Sequence, residues 1–500
     1  MNEERQDRYA FSGINVDVNP YAQKDEELNA CLNFYSHKLY AKKVRFGYAA
    51  LSSNTGSNSP VRNLISFAFP NGQRGILKVQ GYNIYRYSYD NQDWGASIYK
   101  LTVDVPFEFT FLNGQLPYLH LTNGTDHYLT YDGFVFKSWA VIESITPPPH
   151  AIVEYQDRIY MDQNQQRLIQ SAVDWDAIVA YQTNPITLNA GDPASAGIIT
   201  VDSGNGGKII KMTSIQGSLY IYKETAVYRF TGNAAFQMDY GDSVIPQTVV
   251  THKKSGVDYF MSPTAIMRND GQSVKVASLG INDIILKTIA GVGFPTPFAA
   301  SWNDFTFFYI GTMLVGKDTI PNGMFVHDER YDEWYIWQVG HNMTCFGSYY
   351  DVASRSIMLI SGDDQGNTYT WSRNYNNDAG KAIPYRLRTK YDFCGKPEST
   401  KVVARIPTST DNDAGATLSV AKDFSDDYKP LRGDTGNLSS GFVNPLSLSR
   451  FKGISLQISG STTTTRPEFY GYTITYLNKE EELGAGGKRW LGHTIKLTNR

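Results

Sequence analysis

The 500-residue chain has little cysteine: only Cys31, Cys345 and Cys394, far apart in the sequence. That spacing spells neither a disulfide framework nor a cysteine zinc site, so isolated thiols within β structure are expected. An excess of one charge is also missing. The formal net charge is -3, which argues against tight, non-specific binding to DNA or an anionic membrane. No apolar run is long enough to span a bilayer. Residues 1–8 are charged and hold no apolar stretch, which argues against a secretory leader. The sequons Asn123-Gly124-Thr125, Asn342-Met343-Thr344 and Asn437-Leu438-Ser439 are therefore read as turns. Catalytic spellings are missing too: no Gly-x-Ser-x-Gly, no His-Glu-x-x-His, no phosphate-cradling Gly-x-x-x-x-Gly-Lys-Ser/Thr and no dinucleotide fingerprint. The eight histidines are scattered, and a solitary one such as His120 reads as a packed or surface residue. No cofactor and no metal is expected.

What the chain has in abundance is tyrosine, 34 residues against 10 methionines. Tyrosines alternate with aliphatic residues in short strand–turn–strand phrases: Gly81-Tyr82-Asn83-Ile84-Tyr85-Arg86-Tyr87, then Gly217-Ser218-Leu219-Tyr220-Ile221-Tyr222 followed by Val227-Tyr228-Arg229-Phe230, then Ser356-Ile357-Met358-Leu359-Ile360. Strand side chains alternate between faces, so such phrases specify sheets buried on at least one side. With basic residues dispersed rather than interleaved along a groove, the tyrosines are read as inter-sheet packing and not as a stacking platform for bases or sugars.

These phrases cluster every forty to fifty residues or so between 62 and 373, about the length of a four-stranded propeller blade. The expected fold is all-β: an irregular propeller of about six to seven blades over 61–377, then a β-sandwich over 378–478. A pair of stacked sandwiches is the competing architecture. The segment 1–60 is read as an N-terminal arm and entry segment, with a short helix over 26–32, and 479–500 as a C-terminal tail. That tail is either a solvated end or an anchor docking through Trp490 and Leu491 onto a neighbour.

Three acidic clusters bear on chemistry. Asp328-Glu329-Arg330-Tyr331-Asp332-Glu333-Trp334 could present the paired carboxylates that glycoside hydrolysis needs, but a charged hairpin turn explains it more simply. Asp423, Asp426 and Asp427 offer oxygen ligands without the spacing or glycine of a calcium loop, so a solvated loop is expected. Ser361-Gly362-Asp363-Asp364-Gln365-Gly366-Asn367-Thr368, closing on Trp371, is similar to the Asp-box turn of sialidase-like propellers with one residue inserted. In that family the aspartate caps a turn and does no chemistry.

Three stretches together resemble the propeller-containing tail hub and nozzle proteins of short-tailed double-stranded DNA bacteriophages. They are Gly13-Ile14-Asn15 leading to Lys42-Lys43-Val44-Arg45-Phe46-Gly47; Ser171-Ala172-Val173-Asp174-Trp175-Asp176 with the blade phrase 217–232; and 401–476. The resemblance implies a structural virion protein that is not an enzyme. It implies a homo-oligomeric ring, six copies favoured, assembled in the host cytoplasm with adaptor or hub proteins and fibres or spikes. The ring would retain the genome and pass double-stranded DNA without holding it. Asn15, Arg45, Trp490 and Leu491 are the candidate interface arms, and the glycine-rich stretch with Gly191, Gly197, Gly204, Gly206 and Gly207 is the candidate gate loop. The alternatives are a glycan-binding or glycan-degrading propeller, and an interaction propeller with no virion role.

Overall fold

The computed structural model describes residues 4–8, 11–17, 23–24, 26–39, 41–52, 57–112, 118–139, 148–171, 197–202, 205–232, 234–238, 240–293, 297–351, 354–412, 415–431 and 450–478. Those residues are β almost throughout, and seven four-stranded units follow one another along the chain. Their first, innermost strands are Val61–Ala68, Glu108–Leu112, Ile152–Tyr155, Ile209–Ile215, Val250–His252, Phe298–Trp302 and Met343–Asp351. Each continues outward through antiparallel hairpins, as tight turns between short alternating strands require. Inner strands of units 2 to 4 and of units 5 to 7 pack on each other in turn, shared cores join units 1 and 2 and units 4 and 5, and the seventh packs back on the first, where the Thr344 hydroxyl donates to the Val61 carbonyl at 2.6 Å. Gly347 permits that closure, since a Cβ there would lie 2.2 Å from the Leu64 carbonyl oxygen. The fold is a seven-bladed propeller.

Aromatic residues fill the seams between blades. Tyr222 and Phe260 meet edge to face at 5.3 Å between blades 4 and 5, and Phe298 meets Phe346 at 5.2 Å between blades 6 and 7. Tyr220 is buried at the first of these seams and donates to the Gly271 carbonyl at 2.9 Å. Phenol tips thus find partners at the rims while the rings displace water from the seams.

The entry segment is not an arm. Strand Tyr48–Ser52 is the fourth, outermost strand of blade 7, paired with Thr368–Trp371. Leu28–Leu32, where a helix was expected, is a strand: it pairs antiparallel with Ile383–Thr389 and makes one parallel bridge, Leu32 to Ile336, with the outer strand of blade 6. The residue types of this stretch suit a helix, but it has a buried sheet edge on each side, and pairing there satisfies its amides and covers Leu28, Cys31 and Leu32.

The sheet of blade 6 thereby continues through Leu28–Leu32, Ile383–Thr389, Ile454–Thr462, Thr417–Lys422 and Lys429–Pro430, nine strands in all. A second sheet, built on Glu468–Asn478 with Glu4–Arg8, Ala41–Val44, Phe34–Lys38, Lys401–Arg405 and Thr408–Asp411, packs against its distal half. Phe34, Tyr385 and Phe469 interlock across the gap, with ring centroids 5.7–6.3 Å apart. The result is a β-sandwich whose core is continuous with that of the propeller. The α-helix Asn282–Val292, between blades 5 and 6, is held by Asp17, whose carboxylate accepts from the Asn282 and Asp283 amides at 3.0 and 2.9 Å.

Candidate functional site: the joint between propeller and sandwich

The phrase Lys42-Lys43-Val44-Arg45-Phe46-Gly47 carries the chain from the sandwich into the propeller. Val44 ends a sandwich strand and Tyr48 begins the last strand of blade 7, so three residues, Arg45, Phe46 and Gly47, make the crossing. Arg45 is wholly buried there. Its two terminal nitrogens grip the Asp378 carboxylate at 2.8 and 2.5 Å and also donate to the carbonyls of Phe46 and Gln338, while Nε donates to Asn33 Oδ1 at 2.9 Å. All five guanidinium donors are thus matched, the condition under which a buried arginine is tolerable. Phe46 lies against Trp302, Trp337 and Phe305 at 5.2–6.2 Å. Gly47 passes so close to Asn377 that a Cβ would fall 1.9 Å from its carbonyl oxygen.

Lys42, three residues before Arg45, makes a second buried pair. Its ammonium donates to Glu333 Oε2 at 2.7 Å, to the Ser36 hydroxyl at 2.6 Å and to the Tyr335 hydroxyl at 3.1 Å. Burial pushes the Lys42 ammonium down against the pull of Glu333, and burial together with the Glu333 charge pushes the Tyr335 phenol well up. Outer-strand residues of blade 6 and strand residues of the sandwich therefore share one polar network.

The acidic tract 328–333 is the turn of the last hairpin of blade 6, and each carboxylate already has a partner. Asp328 binds Arg330 at 2.6 Å, Glu333 binds Lys42, and Asp332 and Glu329 lie 2.8 and 3.5 Å from the two ring nitrogens of His327. Burial alone would lower the His327 pKa; the two carboxylates outweigh it and raise it. Asp363 forms the turn expected of an Asp-box-like sequence: it accepts from the Gln365 and Asn367 amides at 2.9 and 2.8 Å and from the Tyr369 hydroxyl at 2.7 Å, with Gly366 at φ 86° and Trp371 buried beneath. Asp423 caps the turn before Gly453, while Asp426 and Asp427 reach Lys317 and Lys429. Among the described residues no group of three or more His, Cys, Asp or Glu could hold a metal ion.

The candidate arm residues fall in different places. Arg45 is an internal clamp rather than an exposed contact, because its charge is consumed by Asp378. Asn15 is held within the subunit by Glu27 at 2.9 Å and by Gln23, next to the helix cap. Trp490 and Leu491 lie outside the described residues, as do Gly191 and Gly204. Gly197 opens the outer strand of blade 3, Gly197–Thr200. Gly206 and Gly207 belong to a packed turn, at φ 77° and 75°, where added Cβ atoms would meet Ala226 and Glu224, so this end of the glycine-rich stretch is fixed in place. Sequence reading missed Asp378, Asn33 and Glu333 as partners of the 42–47 phrase. A lysine and an arginine inside an otherwise buried strand-to-strand crossing were the available signal.

No protein-family model matches the chain, and no curated protein matches it. Among solved structures it is similar to the extracellular domain of a B. thetaiotaomicron protein described as a one-component system, at 11% identity and a TM-score of 0.45 over 92% of this chain and 64% of that one. It is also similar to the extracellular domain of a hybrid two-component system from the same bacterium, at 10% identity and a TM-score of 0.45 over 86% and 60%. YCF48 from Cyanidioschyzon merolae follows at 8% identity and a TM-score of 0.42 over 65% and 98%. The chain spans less than two thirds of the length of the two extracellular domains.

Proposed function

We propose that this protein is a structural subunit of a phage tail, a nozzle or hub protein of the virion, whose copies close into a ring that retains the genome and opens for DNA ejection. The observation that carries this reading is the joint. The entry phrase on which the likeness to tail hubs rests is the element that locks propeller to sandwich, through Arg45–Asp378 and Lys42–Glu333. A sheet continuous across both domains makes a stiff subunit, which a ring under load from packaged DNA requires. The conduit would be the space enclosed between copies. Inside one subunit the inner strands of blades 2 and 4 are linked directly by the Lys211–Glu108 ion pair, and a gap closed by one such pair cannot pass a duplex whose major groove alone is about 12 Å wide. Enclosure by copies calls for heterologous contacts between neighbours. Chemistry on glycans draws no support from the acidic turn, whose four carboxylates are committed to Arg330, His327 and Lys42.

Electron microscopy of the purified full chain tests the reading. Rings, six copies favoured, with a central opening wide enough for duplex DNA are expected. A monomer at all concentrations, or release of sugars from a bacterial polysaccharide, overturns it.

A further inference from the structure

Beside the joint, three cationic side chains from three separate stretches converge around one carboxylate, Asp304, and a fourth, Arg466, is hydrogen-bonded to the backbone of one of them. Lys254, in the first turn of blade 5, binds Asp304 Oδ1 at 2.7 Å. Arg330 and Arg373 each stand 3.8 Å from Asp304 Oδ2, and both guanidinium groups lie over the Phe305 ring, at 5.3 and 5.9 Å. Arg466, in the turn between Ile454–Thr462 and Glu468–Asn478, donates from Nη2 to the Arg373 carbonyl and from Nε to Asn376 Oδ1 at 3.1 Å. Its Nη1 is buried and makes no hydrogen bond of good geometry, although the guanidinium also bears on the Tyr35 hydroxyl. Tyr35 stands edge-on to Phe305 at 5.9 Å, within the field of Arg466, Arg373 and Arg330.

The charges do not balance. Arg330 is already committed to Asp328 at 2.6 Å, which leaves Asp304 to serve Lys254 and Arg373, while Arg466 has no carboxylate partner among the described residues. Lys254 and Arg373 are 72% and 45% exposed, so the cluster opens to solvent. Like charges held together without counter-charge repel, and a planar guanidinium with a spare donor is matched to a tetrahedral oxyanion. We propose that this cluster is a binding site for a phosphate-type oxyanion, held by Arg373 and Arg466 with Arg330 beside them, and that Asp304 is the resident competitor for the same cations. The inference stands on this geometry alone and is independent of the ring reading.

Isothermal titration of the full chain with inorganic phosphate, against sodium chloride at matched ionic strength, tests it. Saturable phosphate binding is expected. Arg373→Gln and Arg466→Gln should each weaken it about tenfold, the loss of one charge-assisted contact. Asp304→Asn should tighten it, because the competing carboxylate is gone. A short DNA duplex tested in parallel distinguishes the source of the oxyanion: binding of both probes through Arg373 places it on a polymer, and binding of phosphate alone makes it a free ion. Phosphate acting no differently from chloride, or Arg373→Gln folding normally and keeping wild-type affinity, overturns the proposal. Arg373 is half exposed with no close ion pair, so its substitution spares the fold even if that of Arg466 does not.

Discussion

At the scale of single residues, Lys78 shows how much of the chain's polarity is spent internally. It is completely buried in blade 1, its ammonium 4.9 Å from the Trp94 ring and 5.4 Å from that of Tyr85, with the Gly366 carbonyl at 3.4 Å. Burial pushes it down to about 8, against the pull of Asp93 and Asp363. Because the unfolded chain keeps its proton up to the ordinary lysine value of about 10.4, stability should rise with pH between roughly 8 and 10.4. At neutral pH the buried charge is a cost, so Lys78→Met is expected to raise the thermal midpoint by a few degrees. A lower midpoint in the variant would mean that the ring contacts outweigh desolvation. Arg45 carries the opposite lesson. It belonged to a recognisable phrase, but its partner lies 333 positions along the chain, and nothing local announces Asp378.

At the scale of elements, hairpins were the most legible feature, because period-two tyrosines and the Asp132-Gly133 and Gly217 turns fix strand and register locally. The acidic turn of blade 6 was legible as a turn but not as a titrating unit. There His327 bridges Asp332 and Glu329, packs between the rings of Trp334 and Tyr259, and has His252 and Arg268 acting on its carboxylates. A histidine whose folded pKa is raised contributes stability that is fully present below its unfolded value, about 6.5, and lost as pH rises through the folded value. Thermal midpoints should therefore fall as pH climbs from about 6.5, and His327→Asn should flatten that slope. An unchanged slope in the variant would assign the pH dependence elsewhere. The 26–32 stretch was misread for a reason that also lies outside it: its strand character comes from Ile383–Thr389 and Glu333–Gln338, not from its own residues.

At the scale of the whole molecule, the blade repeat was legible to within one blade, six or seven, because each blade is a local unit. The place of the first sixty residues was not, because they supply strands to both domains. Removing residues 1–52 should leave blade 7 without its outer strand and strip four strands from the sandwich, uncovering Trp371 and Phe469. The truncated protein is expected to be aggregated or to melt without a cooperative transition, as read by size-exclusion chromatography and calorimetry. A soluble, sharply melting product would show that the propeller closes unaided.

The placement of Leu28–Leu32 between blade 6 and Ile383–Thr389 has a consequence for biosynthesis. The first strands to leave the ribosome must wait for partners made more than three hundred residues later, so blades 1 to 5 can form during translation while the joint cannot. Until then Leu28, Cys31 and Phe34 stay uncovered, and a chaperone or rapid completion of synthesis has to guard them against premature association.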